Sequence, residues 1–121
     1  MDTSTRRCGD SSRAWRWALA DRSPIVKEST PKGLLTCIRQ LYFDTALSSS
    51  RYAMRPVLDL AGPKHIVFGS DFPFVHADVV DFEIQQLDQL DVFDEATKSM
   101  VATQNVLELF PRLGRKTAAG K

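Results

Sequence analysis

No run in this chain approaches the ~18 consecutive apolar residues that a membrane-spanning helix needs, so the sequence contains no candidate span. Cysteine is scarce. Cys8 and Cys37 stand far apart, with no Cys-x-x-Cys and no histidine at metal-ligand spacing. With no secretory signal, that usage predicts two reduced thiols in a cytoplasmic protein. Histidine occurs only at positions 65 and 76, which leaves few imidazoles for a metal site. Net charge is also small, at +1, and argues against a nucleic-acid or anionic-membrane partner. The opening MDTSTRRCGDSSR is rich in Arg and Ser like a transit peptide, but it carries Asp2 and Asp10 and no amphipathic pattern.

What remains is ordinary for one globular domain: 121 residues, 43% hydrophobic and 26% charged. The charge is unevenly spread. Residues 71–95 hold eight acidic side chains and no Lys or Arg, while residues 1–27 hold six basic and three acidic. A solvated helix face accounts for the acidic stretch.

Along the chain, residues 1–12 are polar and Gly/Ser-rich and are expected to be disordered. Residues 13–22 (RAWRWALADR) suggest a helix of about two turns, and residues 23–33, with two prolines, suggest a loop. After the apolar run 34–39, the strand formers of QLYFDTA predict a first strand over Leu41–Ala46. Ser48-Ser49-Ser50 offers N-caps for a helix over 51–61, which Pro56 either begins or kinks and Gly62-Pro63 stops. Ile66–Gly69 predicts a second strand. Asp78 is expected to cap a helix to about Leu90 that buries Val80, Ile84 and Leu87, and Asp94 to cap a last helix ended by Pro111. Strand, helix, strand, helix, helix implies a parallel pair joined by a crossover. Two strands alone expose both sheet edges, so the chain reads as part of something larger.

The segment HIVFGSDFPFVH carries the chemistry. In α/β folds functional residues gather at the C-terminal ends of strands, and Asp71 lies just past one. Gly69 lets the backbone turn or approach a ligand, and Phe72-Pro73-Phe74 stiffens the loop. Asp71 could bind a metal, act as general base on a metal-bound water, or accept a hydrogen bond from a catalytic His. The plainer alternative makes Asp71 a turn cap and Phe72 and Phe74 core. Asp44, near the end of the first strand, either orients a ligand or makes a local turn bond. Thr45 and Ser70 read as turn residues, Asn105 as a mid-helix residue that bonds backbone, and His65 and His76 as surface. A phosphate-binding turn at Gly69-Ser70 lacks the glycine-rich loop and lysine that would support it.

FGSDFPF, QLYFDTALSSS one βα unit upstream, and FDEATKSMVATQNVLELF downstream resemble the end of an amidohydrolase-related TIM barrel. The branch is the one that contains aminocarboxymuconate-semialdehyde decarboxylase and related aromatic-acid decarboxylases and hydrolases. The resemblance runs from about Pro31 to Leu113. Residues 1–30 are left unmatched, and 114–121 are expected to be a disordered basic tail. The resemblance implies an α/β fold consisting of a C-terminal fragment, the last two βα units, of a TIM (β/α)8 barrel with extra C-terminal helices. It implies that Asp71 is the family's metal-binding and proton-handling Asp, with zinc as the usual divalent metal, and that the substrate is a small carboxylated, often aromatic or cyclic, compound. The family's His-x-His pair and its further His are absent here, whereas a catalytic zinc site needs three protein ligands. Alone, the chain is therefore expected to bind no metal and to be inactive. The alternative is a non-catalytic remnant or interaction module that needs a partner chain, with self-association through uncovered barrel surface.

Overall fold

The computed structural model describes residues 22–118. The disorder expected for residues 1–12, nearly all of the helix expected for 13–22, Cys8, and the last three residues lie outside them. The chain divides into two units between Gln40 and Leu41.

In the first unit, the expected loop 23–33 contains a helix, α1 (Pro24–Ser29). Ser23 is extended and Pro24 takes the first helical position, where its missing N–H costs nothing and its fixed φ is already helical. Thr30 closes α1 by sending both its N–H (2.8 Å) and its hydroxyl (2.6 Å) to the Val26 carbonyl. The apolar run 34–39 forms α2 (Leu34–Ile38), which carries the free thiol of Cys37.

The second unit begins with β1 (Phe43–Asp44), α3 (Arg51–Ala61), a 3₁₀ turn (Pro63–His65) and β2 (Ile66–Val67). β1 and β2 are adjacent and parallel, Phe43 opposite Ile66 and Asp44 opposite Val67, as the element order predicts. Both strands are shorter than expected: past them the pairing continues with one backbone bond, Thr45 N–H to the Val67 carbonyl, and then passes to side-chain bonds. Ser50 caps α3, its hydroxyl accepting from the Ala53 N–H at 3.3 Å. Pro56 sits inside the helix and leaves the Tyr52 carbonyl without its helical partner, but Tyr52 is 86% exposed and water can replace the bond. Gly62, at φ 78°, ends the helix in a conformation that suits glycine.

After β2 come α4 (Ala77–Asp88), α5 (Glu95–Ser99), a π turn (Met100–Gln104), α6 (Asn105–Leu109) and α7 (Pro111–Ala118). Three expectations are corrected here. His76, not Asp78, is the N-cap of α4, and Asp78 lies in its first turn. Of the stripe expected on α4, Val80 and Leu87 are half-buried, but Ile84 is 48% exposed and its place is taken by Glu83, only 4% exposed. The single last helix is broken by the π turn, and Pro111 starts α7 instead of ending the chain's helical part. Proline serves either purpose, and here Phe110 leaves the helical region (φ −127°, ψ 73°), so Pro111 begins a new helix. α7 also makes residues 114–118 of the expected disordered tail helical.

The core is small: Met54 from α3, Ile66 from β2, Leu90 and Phe93 beyond α4, and Val101 from the π turn. Each fully buried side chain of this kind stabilises by about 1.5–3 kcal/mol. The π turn ties the last helices to the sheet. Asn105 sends its N–H to the Met100 carbonyl, five residues back, so the Val101 carbonyl is released from its regular helical partner. That carbonyl accepts from Phe68 N–H at 3.0 Å, at the end of β2. The Asn105 side chain, 2% exposed, donates to the Pro63 and Ile66 carbonyls, both at 2.7 Å. It bonds backbone, as expected. Among the described residues no helix is long and apolar enough to cross a membrane.

Candidate functional site

The C-terminal ends of β1 and β2 bring together the loops that carry Asp44 and Asp71. From β1, the Thr45 N–H continues the pairing to the Val67 carbonyl at 3.2 Å. The Thr45 hydroxyl then closes on Gly69 from both sides, donating to its carbonyl and accepting from its N–H, each at 3.2 Å. Thr45 is fully buried, so it is the clasp between the two loops and more than a turn residue.

Asp44 is exposed, and its Oδ1 accepts from the Ala46 N–H at 2.9 Å, which is the local turn bond. Its side chain also lies against Gly69. A Cβ added there would stand 3.0 Å from the Asp44 Cβ and 3.2 Å from its Cγ. Gly69 is therefore required by the close approach of Asp44, while the left-handed turn falls two residues later.

That turn is made by Asp71 itself, at φ 57°. Aspartate is among the few non-glycine residues that adopt this conformation readily. Its carbonyl accepts from Phe74 N–H (2.9 Å) and Val75 N–H (3.3 Å), and the Ser70 hydroxyl accepts from Phe72 N–H at 3.4 Å. The backbone thus caps the turn, and the carboxylate is left exposed at the end of β2. Phe72 and Phe74 are 65% and 89% exposed, so they are not core. The Phe72–Pro73 peptide is cis.

The two histidines lie apart from this geometry. His65 precedes β2, at the N-terminal end of the strands, where its Nδ1 lies 3.0 Å from the Leu41 carbonyl and its ring stacks on Tyr42. His76 is exposed and closes the Asp71 loop as the α4 N-cap, its carbonyl accepting from Val79 and Val80. Among the described residues no group of three or more His, Cys, Asp or Glu is placed to hold a metal ion. A zinc centre does not fit these residues by themselves, since Asp71 would supply one ligand where three are needed.

Sequence reasoning missed Thr45 and Glu83. Glu83 accepts a hydrogen bond from the Leu47 N–H, in the loop that leaves β1. A signal for it existed: Val80, Glu83, Leu87 and Leu90 follow one another at helical spacing, with the carboxylate in the middle of the stripe. Charge alone had assigned it to the solvated face.

A family model described as amidohydrolase matches residues 6–112. A 6-methylsalicylic acid decarboxylase of Penicillium expansum is 38% identical over 82 residues, 66% of this chain and 24% of that protein. A second 6-methylsalicylic acid decarboxylase, from Aspergillus aculeatus, is 36% identical over 80 residues, 65% of this chain and 24% of that protein. A decarboxylase of Aspergillus niger is 28% identical over 86 residues, 69% of this chain and 23% of that protein. The chain spans about a quarter of the length of these relatives. No solved structure matches it.

Proposed function

The chain belongs to the amidohydrolase family, and on that premise we propose that it is the part of a decarboxylase that forms the last two βα units of a TIM (β/α)8 barrel. The substrate is a small aromatic carboxylate, of the kind named for the relatives. In such a reaction the bond between ring carbon and carboxylate breaks, its electrons stay on the ring, and a proton takes the place of the departing CO2. Asp71 is the residue of this chain for that chemistry: it holds and moves a proton at the mouth of the barrel, and it would contribute one carboxylate to a divalent metal, zinc by the resemblance, only if the other ligands came from outside the described residues.

The observation that carries this reading is the placement of Asp71. Its carboxylate is exposed at the C-terminal end of β2, in a backbone conformation stabilised by its own carbonyl. The test is a chimera in which residues 31–113 replace the matching segment of the Penicillium relative. We expect the chimera to decarboxylate 6-methylsalicylic acid, and Asp71→Ala within it to lower turnover by ~10²-fold or more, as loss of a proton-transfer group commonly does. An active chimera indifferent to Asp71→Ala refutes the role.

A second reading is favoured by the exposed apolar side chains Leu41, Leu47, Phe68, Phe72, Phe74 and Phe82. By itself the chain is inactive and associates with copies of itself through surface that a complete barrel covers. It binds neither nucleic acid nor membrane. Concentration-dependent sedimentation tests this, and a monodisperse monomer at high concentration refutes it.

A further inference from the structure

We propose that Glu83 is a positioning residue that holds the two active-end loops in register from a helix behind them. The proposal rests on the reading of the Asp71 loop as the site. Leu47 stands at φ 53°, a conformation that costs a branched residue dearly and needs outside support. Its N–H donates to Oε1 of Glu83, on α4. α4 is entered directly from the Asp71 loop, and Leu47 lies at the tip of the turn closed by Ser48 N–H to the Thr45 carbonyl (2.9 Å). Thr45 in turn clasps Gly69, two residues before Asp71. The chain of contacts runs from Glu83 through Leu47 and Thr45 to Gly69.

Packing alone does not explain a carboxylate here. Oε2 of Glu83 is buried with no hydrogen-bond partner among the described residues. Leaving a buried oxygen unpaired is unfavourable, and an apolar side chain would fill the Val80–Leu87–Leu90 stripe without that penalty. What the carboxylate supplies, and an apolar residue cannot, is the acceptor for Leu47.

Amide hydrogen exchange on the isotopically labelled full chain tests this without any activity assay, so its outcome is independent of whether Asp71 proves catalytic. Glu83→Ala should speed exchange at Leu47 by about tenfold or more, as loss of a hydrogen bond to a charged group does. Gly69 should speed severalfold, while Phe68, bonded to Val101, stays unchanged. Glu83→Gln, which keeps an acceptor, should restore both. Glu83→Leu, which fills the stripe without an acceptor, should behave like Glu83→Ala and serves if the alanine variant does not fold. An unchanged Gly69, or equal acceleration at Phe68, overturns the proposal.

Discussion

Replacing Asn105 by alanine should cost this chain a large share of its stability. The side chain spans two carbonyls, Pro63 and Ile66, each at 2.7 Å, and is 2% exposed. The Ile66 bond is buried, so the variant leaves that carbonyl without a donor, at about 1–3 kcal/mol. The Pro63 bond is only partly buried, and water can replace it at a cost of about 0.5–1 kcal/mol. Together the loss is about 2–4 kcal/mol. A unit of this size holds roughly 4–12 kcal/mol in total, and with five buried hydrophobic residues among those described this one belongs at the lower end. Urea unfolding followed by far-ultraviolet circular dichroism measures the change. With a slope of about 1–2 kcal/mol/M, the midpoint should fall by about 1–4 M. Asn105→Asp should be at least as severe, because it turns a carboxylate toward two carbonyl oxygens. A midpoint shift under ~0.3 M at constant slope would refute the view that this side chain binds the last helices to the sheet.

Gly69→Ala should destabilise by about 1–3 kcal/mol, since the neighbour it meets is the root of the Asp44 side chain and cannot swing away; an unchanged melting temperature contradicts the close packing of the two loops. Asp94 is held below the usual carboxylate range by a hydrogen bond from the Thr97 side chain and then by its N–H, the latter at 2.7 Å. A depressed carboxyl adds stability above its unfolded value, and that stability is lost as pH falls below about 3.8 through the lower folded value. The wild-type chain should therefore lose more stability than Asp94→Asn on acidification below that point, and parallel acid titrations of the two would count against the cap.

Much of the frame was legible in the residues, and the reasons are local. Ser50 before the helix and Gly62 after it mark α3 because each satisfies a terminal backbone group. The parallel strands followed from the order of elements, and the exposed position of Asp71 past the end of β2 followed from its place after a short apolar run. What escaped depends on phase and on distant partners. Periodicity finds a helix but not a slip of one residue, so the π turn was invisible and the buried face of α4 was placed on Ile84 where it passes through Glu83. Thr45 looked like any turn residue because its partner, Gly69, is 24 positions away. Gly69 was recognised as special, but the left-handed turn belongs to Asp71.

The π turn has a consequence for which changes the chain tolerates. The Asn105 N–H reaches the Met100 carbonyl across five residues where a regular helix spans four, so the extra residue aims the Val101 carbonyl out of the helix at the Phe68 N–H. Ala102, Thr103 and Gln104 are exposed, and their identities matter little to that aim. Their number matters a great deal. Removing any one of them would restore an unbroken helix, return the Val101 carbonyl to it, and leave the Phe68 N–H without its acceptor. In this segment length is the inherited quantity, and spelling is free to drift.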